Sequence, residues 1–75
     1  MTKKQIESIE RRIQVYITQA NEDSSRVYGG IEYGAMCEFA AKVMVETMNL
    51  LGCDYDILYD KDSKKLYLKG GIAND

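Results

Sequence analysis

The 75-residue chain has no histidine, no tryptophan, a single phenylalanine and only two cysteines. Without histidine the commonest zinc ligand is missing, and so is the base of every Ser-His or Cys-His catalytic pair. Cys37 and Cys53 cannot bridge within one chain. Predicted helix separates Cys37 from Leu51 by roughly 21 Å at about 1.5 Å per residue, whereas bridged Cα atoms lie within about 7 Å. Two unpaired thiols suit a reducing compartment, and the expected localisation is cytoplasmic. The opening MTKKQIESIERR lacks the apolar stretch of a secretory signal. No run reaches the roughly 18 apolar residues of a membrane span. A phosphate-binding loop, a nucleophile elbow and a dinucleotide fingerprint are likewise missing; GGIEYG lacks both the preceding strand and the glycine spacing. The expectation is a protein that is not an enzyme and holds neither metal nor cofactor.

What is present reads as one small soluble domain over residues 1–75, 45% apolar and 29% charged, with a net charge of −2. A domain this small buries only about 60% of the surface its unfolded chain exposes. Such a core rarely supplies more than about 3–5 kcal/mol, so small domains lean on disulfides, a metal or a partner chain. With the first two excluded, a partner chain is the remaining expectation, and a homodimer is its favoured form.

Residues 2 to about 21 read as a first helix. Thr2 and Gln5 form a capping-box pattern. Ile6, Ile9, Ile13, Tyr16, Ile17 and Ala20 recur at steps of three and four and make one apolar stripe. Glu7 and Arg11 stand at i,i+4 in the favourable order. NEDSS at 21–25 is the break, and Asp23 or Ser24 is the expected N-cap of a second helix running from about 24 to 51. That helix would pass through Gly29 and Gly30, each costing about 1 kcal/mol against alanine. Gly52 suits the C′ position, with Met48 meeting Cys53 across the cap. Around this helix, large residues (Met36, Phe39, Val43, Met44, Leu51) occupy one sector and small ones (Gly30, Gly34, Cys37, Ala41) the next. A helix apolar over more than half its circumference must be covered from two sides.

From about 55 to 69 the pattern alternates with a period of two, the mark of a β-hairpin turning at Lys61–Lys64. Pairing Tyr59 with Leu66 and Ile57 with Leu68 makes one face apolar. The same register sets Asp60 against Lys65, Leu58 against Tyr67 and Asp56 against Lys69 on the other. Residues 70–75 read as a frayed tail. The fold class is thus α+β: a two-helix antiparallel hairpin followed by a two-stranded antiparallel β-hairpin (ααββ), helix 2 central, with both sheet edges free.

Several groupings look chemical, and each has a structural explanation. Asp54, Asp56, Asp60 and Asp62 suggest a cation site, but Asp56 and Asp60 lie roughly 13 Å apart along a strand, and the turn lacks the glycine and closing glutamate of a calcium loop. Lys61, Lys64, Lys65 and Lys69 with Tyr67 suggest nucleic acid, but the facing strand is acidic and the pI is about 5.0. Cys37 has no base to activate it and suits a small buried position. Six tyrosines remain the least ordinary feature, since tyrosine anchors interfaces well.

The reading that follows is a non-enzymatic protein–protein interaction module that self-associates, with a heterologous protein as a further partner and neither nucleic acid nor membrane involved. Its candidate interface residues are Tyr28, Gly30, Tyr33, Gly34, Leu58 and Tyr67. Small size and acidity suit a phage or mobile-element product that binds and inhibits a host protein complex. The alternative is a small-ligand binder, its nucleotide or anion held between protomers by Arg26, Tyr28 and Tyr33 near the start of the second helix.

Overall fold

The fold comes from a computed structural model, which describes residues 1–22, 27–28 and 31–72. Helix α1 spans Lys3–Glu22. Its start is the expected capping box: the Thr2 N–H donates to Gln5 Oε1 at 2.8 Å, and the Gln5 N–H donates to Thr2 Oγ1 at 3.1 Å. Ile13, Ile17 and Ala20 are buried, with Ile6, Ile9 and Tyr16 packed partly against the same core. Glu7 and Arg11 form no ion pair; the pair found among the described residues joins Glu38 to Lys42 at 2.7 Å.

The second helix corrects the expectation. Helix α2 spans Tyr33–Leu50 and does not begin near residue 24. Ahead of it, β1 (Val27–Tyr28) pairs antiparallel with β2 (Ile31–Glu32) in the register Tyr28↔Ile31. Only positions 29 and 30 are left to connect them. Gly29 and Gly30 themselves lie outside the described residues; in sequence terms, the freedom that makes a glycine pair costly inside a helix is also a hairpin signal. The N-cap is Glu32, in extended backbone (φ −65°, ψ 132°) without a side-chain cap bond. The expected caps, Asp23 and Ser24, lie outside the described residues. The other end is as expected. Gly52 takes φ +104° and donates its N–H to Asn49 O at 3.1 Å, and Met48 and Cys53 share one buried cluster.

Strands β3 (Cys53–Asp60) and β4 (Lys65–Ile72) form the hairpin in the predicted register, Ile57↔Leu68, Tyr59↔Leu66, Asp56↔Lys69, Leu58↔Tyr67 and Asp60↔Lys65. Asp60 organises the turn: Oδ1 accepts the Asp62 N–H at 3.0 Å and Oδ2 accepts the Ser63 hydroxyl at 2.9 Å. These bonds hold its carboxyl below the usual carboxylate range. The hairpin exceeds the predicted 55–69 at both ends, and residues 70–72 are strand rather than frayed tail. Ladder bonds need no apolar side chain. Gly70, at φ +102°, also lets β4 pass so close to β3 that a Cβ there would overlap the Asp54 carbonyl oxygen. Residues 73–75 lie outside the described residues.

Apart from the two-residue β1–β2 pair between the helices, the order is ααββ, with two layers. Helix α2 packs on α1, β2 and β3, while α1 also reaches the sheet through β4. The helices therefore lie side by side on one face of the β3–β4 hairpin, and α1 shares the sheet contact that a strictly central α2 would monopolise. Gln19 near Tyr33, and Ile9 near Met48 and Leu51, show the helices to be antiparallel. The core between the layers is Ile13, Ile17, Ala41, Val45, Met48, Cys53 and Tyr55. Among the described residues, no helix is long and apolar enough to cross a membrane.

Candidate functional site

Helix α2 has two apolar sides, and packing uses one of them. The buried positions are Gly34, Cys37, Ala41, Val45 and Met48, mostly from the small-residue sector. Small side chains let α1 approach closely, so that Ile13 and Ile17 become almost fully buried. The large residues are left facing outward. Met36 and Val43 are each 44% exposed, Leu51 63%, Phe39 70% and Leu50 82%. Met36, Val43 and Leu50 are seven residues apart, so at about 100° per residue they fall on one line within roughly 40°. That line points away from the buried set and runs about 21 Å along the helix, with Phe39 beside it. Scattered exposed apolar residues are ordinary; a contiguous row of large ones is not.

The two flanks of this row differ. On one side lie Glu38, Lys42 and Glu46, the first two joined as an ion pair. On the other, Val43, Met44, Thr47 and Leu51 meet Ile9 and Met48 in an apolar groove of about 250 Å³. A wider cleft of about 460 Å³ lies where α2 meets the outer edge of β3, between Val45, Leu50 and Ile57.

The sheet edges are less open than the sequence suggests. At β3, the Asn49 amide donates to the Tyr55 carbonyl at 2.9 Å, and its oxygen accepts the Tyr55 N–H at 2.7 Å. At β4, Asn21 donates to the Leu66 carbonyl at 3.0 Å and accepts the Leu66 N–H at 2.9 Å. One residue of each edge is thereby occupied by a side chain that imitates a neighbouring strand.

Among the described residues, those named from sequence do not converge. Arg26, Gly30 and the Tyr28 side chain lie outside the described residues; the backbone of Tyr28 belongs to β1. Tyr33 opens α2, half-buried, and its hydroxyl donates to Gln19 Oε1 at 3.2 Å. Gly34 is buried inside its own chain and offers no face to a second helix. Leu58 and Tyr67 pair across the outer face of the hairpin, the first half-buried and the second exposed. Cys37 is buried, its thiol 3.7 Å from Gln19 Oε1, and Cys53 is a second buried free thiol.

One titratable group inside the fold is strongly perturbed. The Tyr55 hydroxyl donates to Glu10 Oε1 at 2.9 Å, and burial, followed by the adjoining Glu10 carboxylate, pushes it up to about 12. That direction keeps the phenol protonated at neutral pH. It acts as a donor tying α1 to β3, the opposite of what a base or nucleophile requires.

Among the described residues the α2 row is the longest run of exposed large apolar side chains, and sequence reasoning missed it as a site. Its signal was present in the sorting of large and small residues into separate sectors. Comparison of the chain with protein families, with curated proteins and with solved structures finds no match in any of the three.

Proposed function

We propose that this chain is a non-catalytic protein–protein interaction module whose working surface is the outward side of α2. The observation that carries the reading is the exposure of Phe39 and Leu50, at 70% and 82%, on the side of the helix opposite its own core. Keeping large apolar side chains in water costs on the order of 25 cal/mol per Å², and covering them on association recovers that energy. Such surfaces mark binding sites when they are contiguous and bordered by polar groups, as this one is by Glu38, Lys42 and Glu46.

Site-specific photo-crosslinking tests it. A photoreactive residue is placed at Phe39 or Leu50, and, as controls, at Lys61 in the hairpin turn and at Val15, which is 41% exposed on α1. Crosslinked adducts at Phe39 and Leu50, sparse at Val15 and Lys61 and lost on Val43→Glu, are the expected result. Equal labelling at all four positions would sink the reading.

A further inference from the structure

Antiparallel pairing turns alternate residues toward and away from the neighbouring strand, so every second residue of an edge strand offers its N–H and carbonyl outward. Asn49 shows which residues those are on β3. It takes both backbone groups of Tyr55, so the outward set is Cys53, Tyr55, Ile57 and Tyr59. Asn21 gives the matching phase on β4, where it holds Leu66, the partner of Tyr59. That second edge is closed on both sides of Leu68: Asn21 occupies Leu66, and Gly70 leaves extended backbone at φ +102°. On β3 the outward backbone of Ile57 and Tyr59 stays open among the described residues, beside the cleft of about 460 Å³ between β3 and α2.

We propose that this stretch of β3 docks an extended segment of a partner protein as a third strand, basic at alternate positions and apolar between them. The surface differs from the outward row of α2, with which it shares Leu50 alone.

Backbone donors and acceptors open at strand spacing are matched by another extended chain. The incoming residues opposite Ile57 and Tyr59 bond to them and send their side chains to the same, inner face. There Ile57 is half-buried and Tyr59 is 57% exposed, so apolar side chains at these two positions cover both. The incoming residues opposite Asp56 and Asp60 fall on the outer face. Each stands about 5 Å from its aspartate, and about 10 Å from Lys69 or Lys65 one strand further on. The nearer charge dominates, and neither aspartate forms an ion pair among the described residues. A lysine or arginine is therefore favoured at both positions. The helical wall of the cleft has the same sign: Glu38 holds Lys42, which leaves Glu46 as the uncompensated charge.

The same aspartates exclude β3 of a second copy as the added strand. A two-fold pairing centred on Leu58 sets Asp56 against Asp60 twice, and one centred on Ile57 sets Asp54 against Asp60 twice. Like charges directly opposite are destabilising.

NMR of the intact, nitrogen-15-labelled chain tests the proposal with three capped peptides. The first is Gly-Ser-Lys-Val-Thr-Val-Lys-Ser-Gly; the second carries Glu for both Lys; the third is the first with both valines N-methylated. At about 2 mM, where even a millimolar complex is mostly formed, the first peptide is expected to shift the Ile57 and Tyr59 amide protons and slow their exchange, leaving Leu68 unchanged. The acidic peptide should bind at least about tenfold more weakly, and the methylated one should give no protection.

Unchanged Ile57 and Tyr59 amides with the first peptide overturn the proposal. Equal binding of the acidic peptide overturns the basic partner, and equal protection by the methylated one overturns strand addition. Shifts at Ile57 and Tyr59 that follow protein concentration without peptide make a second copy the occupant and overturn the foreign one. Changes confined to Phe39 and Val43 put the peptide on the α2 row and overturn the β3 edge. The reading of that row keeps its own test, since photo-crosslinking at Phe39 does not depend on the strand edge.

Discussion

Asn21 and Asn49 hold the two outer edges of the hairpin in the same way, one from the C-terminal end of each helix. Each spends its amide on the N–H and the carbonyl of a single strand residue, Leu66 on β4 and Tyr55 on β3. The sheet is thus tied to both helices by backbone mimicry as well as by its apolar face. A two-stranded hairpin is marginal alone in water, which makes these ties worth having.

Asn49→Ala and Asn21→Ala should each cost about 1–2 kcal/mol, two partly exposed hydrogen bonds apiece. The sites lie on opposite edges, so the double variant should lose close to the total. Asn49→Asp keeps the acceptor but turns a second oxygen toward the Tyr55 carbonyl, and should be no better than Asn49→Ala near neutral pH. Urea denaturation measures all four variants. An Asn49→Asp variant as stable as wild type would show that the two-point pairing does not matter.

Gly70 and Gly52 both have positive φ, near +100°, yet they should respond differently to alanine. Nothing lies within 4 Å of a Cβ at Gly52, so Gly52→Ala should cost about 1 kcal/mol of backbone strain alone. At Gly70 the added carbon overlaps the Asp54 carbonyl of the neighbouring strand. Gly70→Ala should cost 3 kcal/mol or more, on the order expected when packed backbone must separate. Thermal melts that rank the two variants equally would contradict this picture of the β3–β4 approach.

Tyr55 links stability to alkaline pH. In the folded chain its hydroxyl keeps its proton up to about 12, above the ordinary value of 10.0. The folded state therefore binds that proton more tightly. The stabilisation is complete below pH 10 and disappears as pH rises from 10 towards 12. Tyr55→Phe should be less stable than wild type by about 1 kcal/mol at pH 8, and the gap should narrow at pH 11. Urea unfolding of both proteins at pH 8, 10 and 11 separates this group from the surface lysines that titrate in the same range. A gap independent of pH would remove the Tyr55–Glu10 contact as the cause.

Much of this fold was legible before any coordinates. The Thr2–Gln5 box, the Gly52 cap and the hairpin register all depend on residues close in sequence or directly paired. Their side-chain chemistry states the partner outright. The start of α2 differs from the expectation because the apolar period of a helix continues in the sequence through Tyr28 and Ile31. That period competes with a strand pairing, and Val27–Tyr28 pair with Ile31–Glu32 instead.

The candidate site was harder to read, and its residues show why. Tyr33 and Gly34 were singled out for being unusual, yet contacts of the chain with itself account for both; Gln19, fourteen residues before Tyr33, receives its hydroxyl. Phe39 and Leu50 carried no motif at all. Their significance lies in what fails to cover them.

The sequence by itself determined which residues pair across β3 and β4, since a period of two and opposite charges admit a single register. It also determined that α2 carries more apolar surface than one neighbour can bury. Only the tertiary structure decided which side of α2 became core. Both sectors satisfy helical periodicity equally well, and the choice depends on how closely α1 can approach. Gly34, Cys37 and Ala41 allow that approach where Met36, Phe39 and Val43 would hold the helices apart.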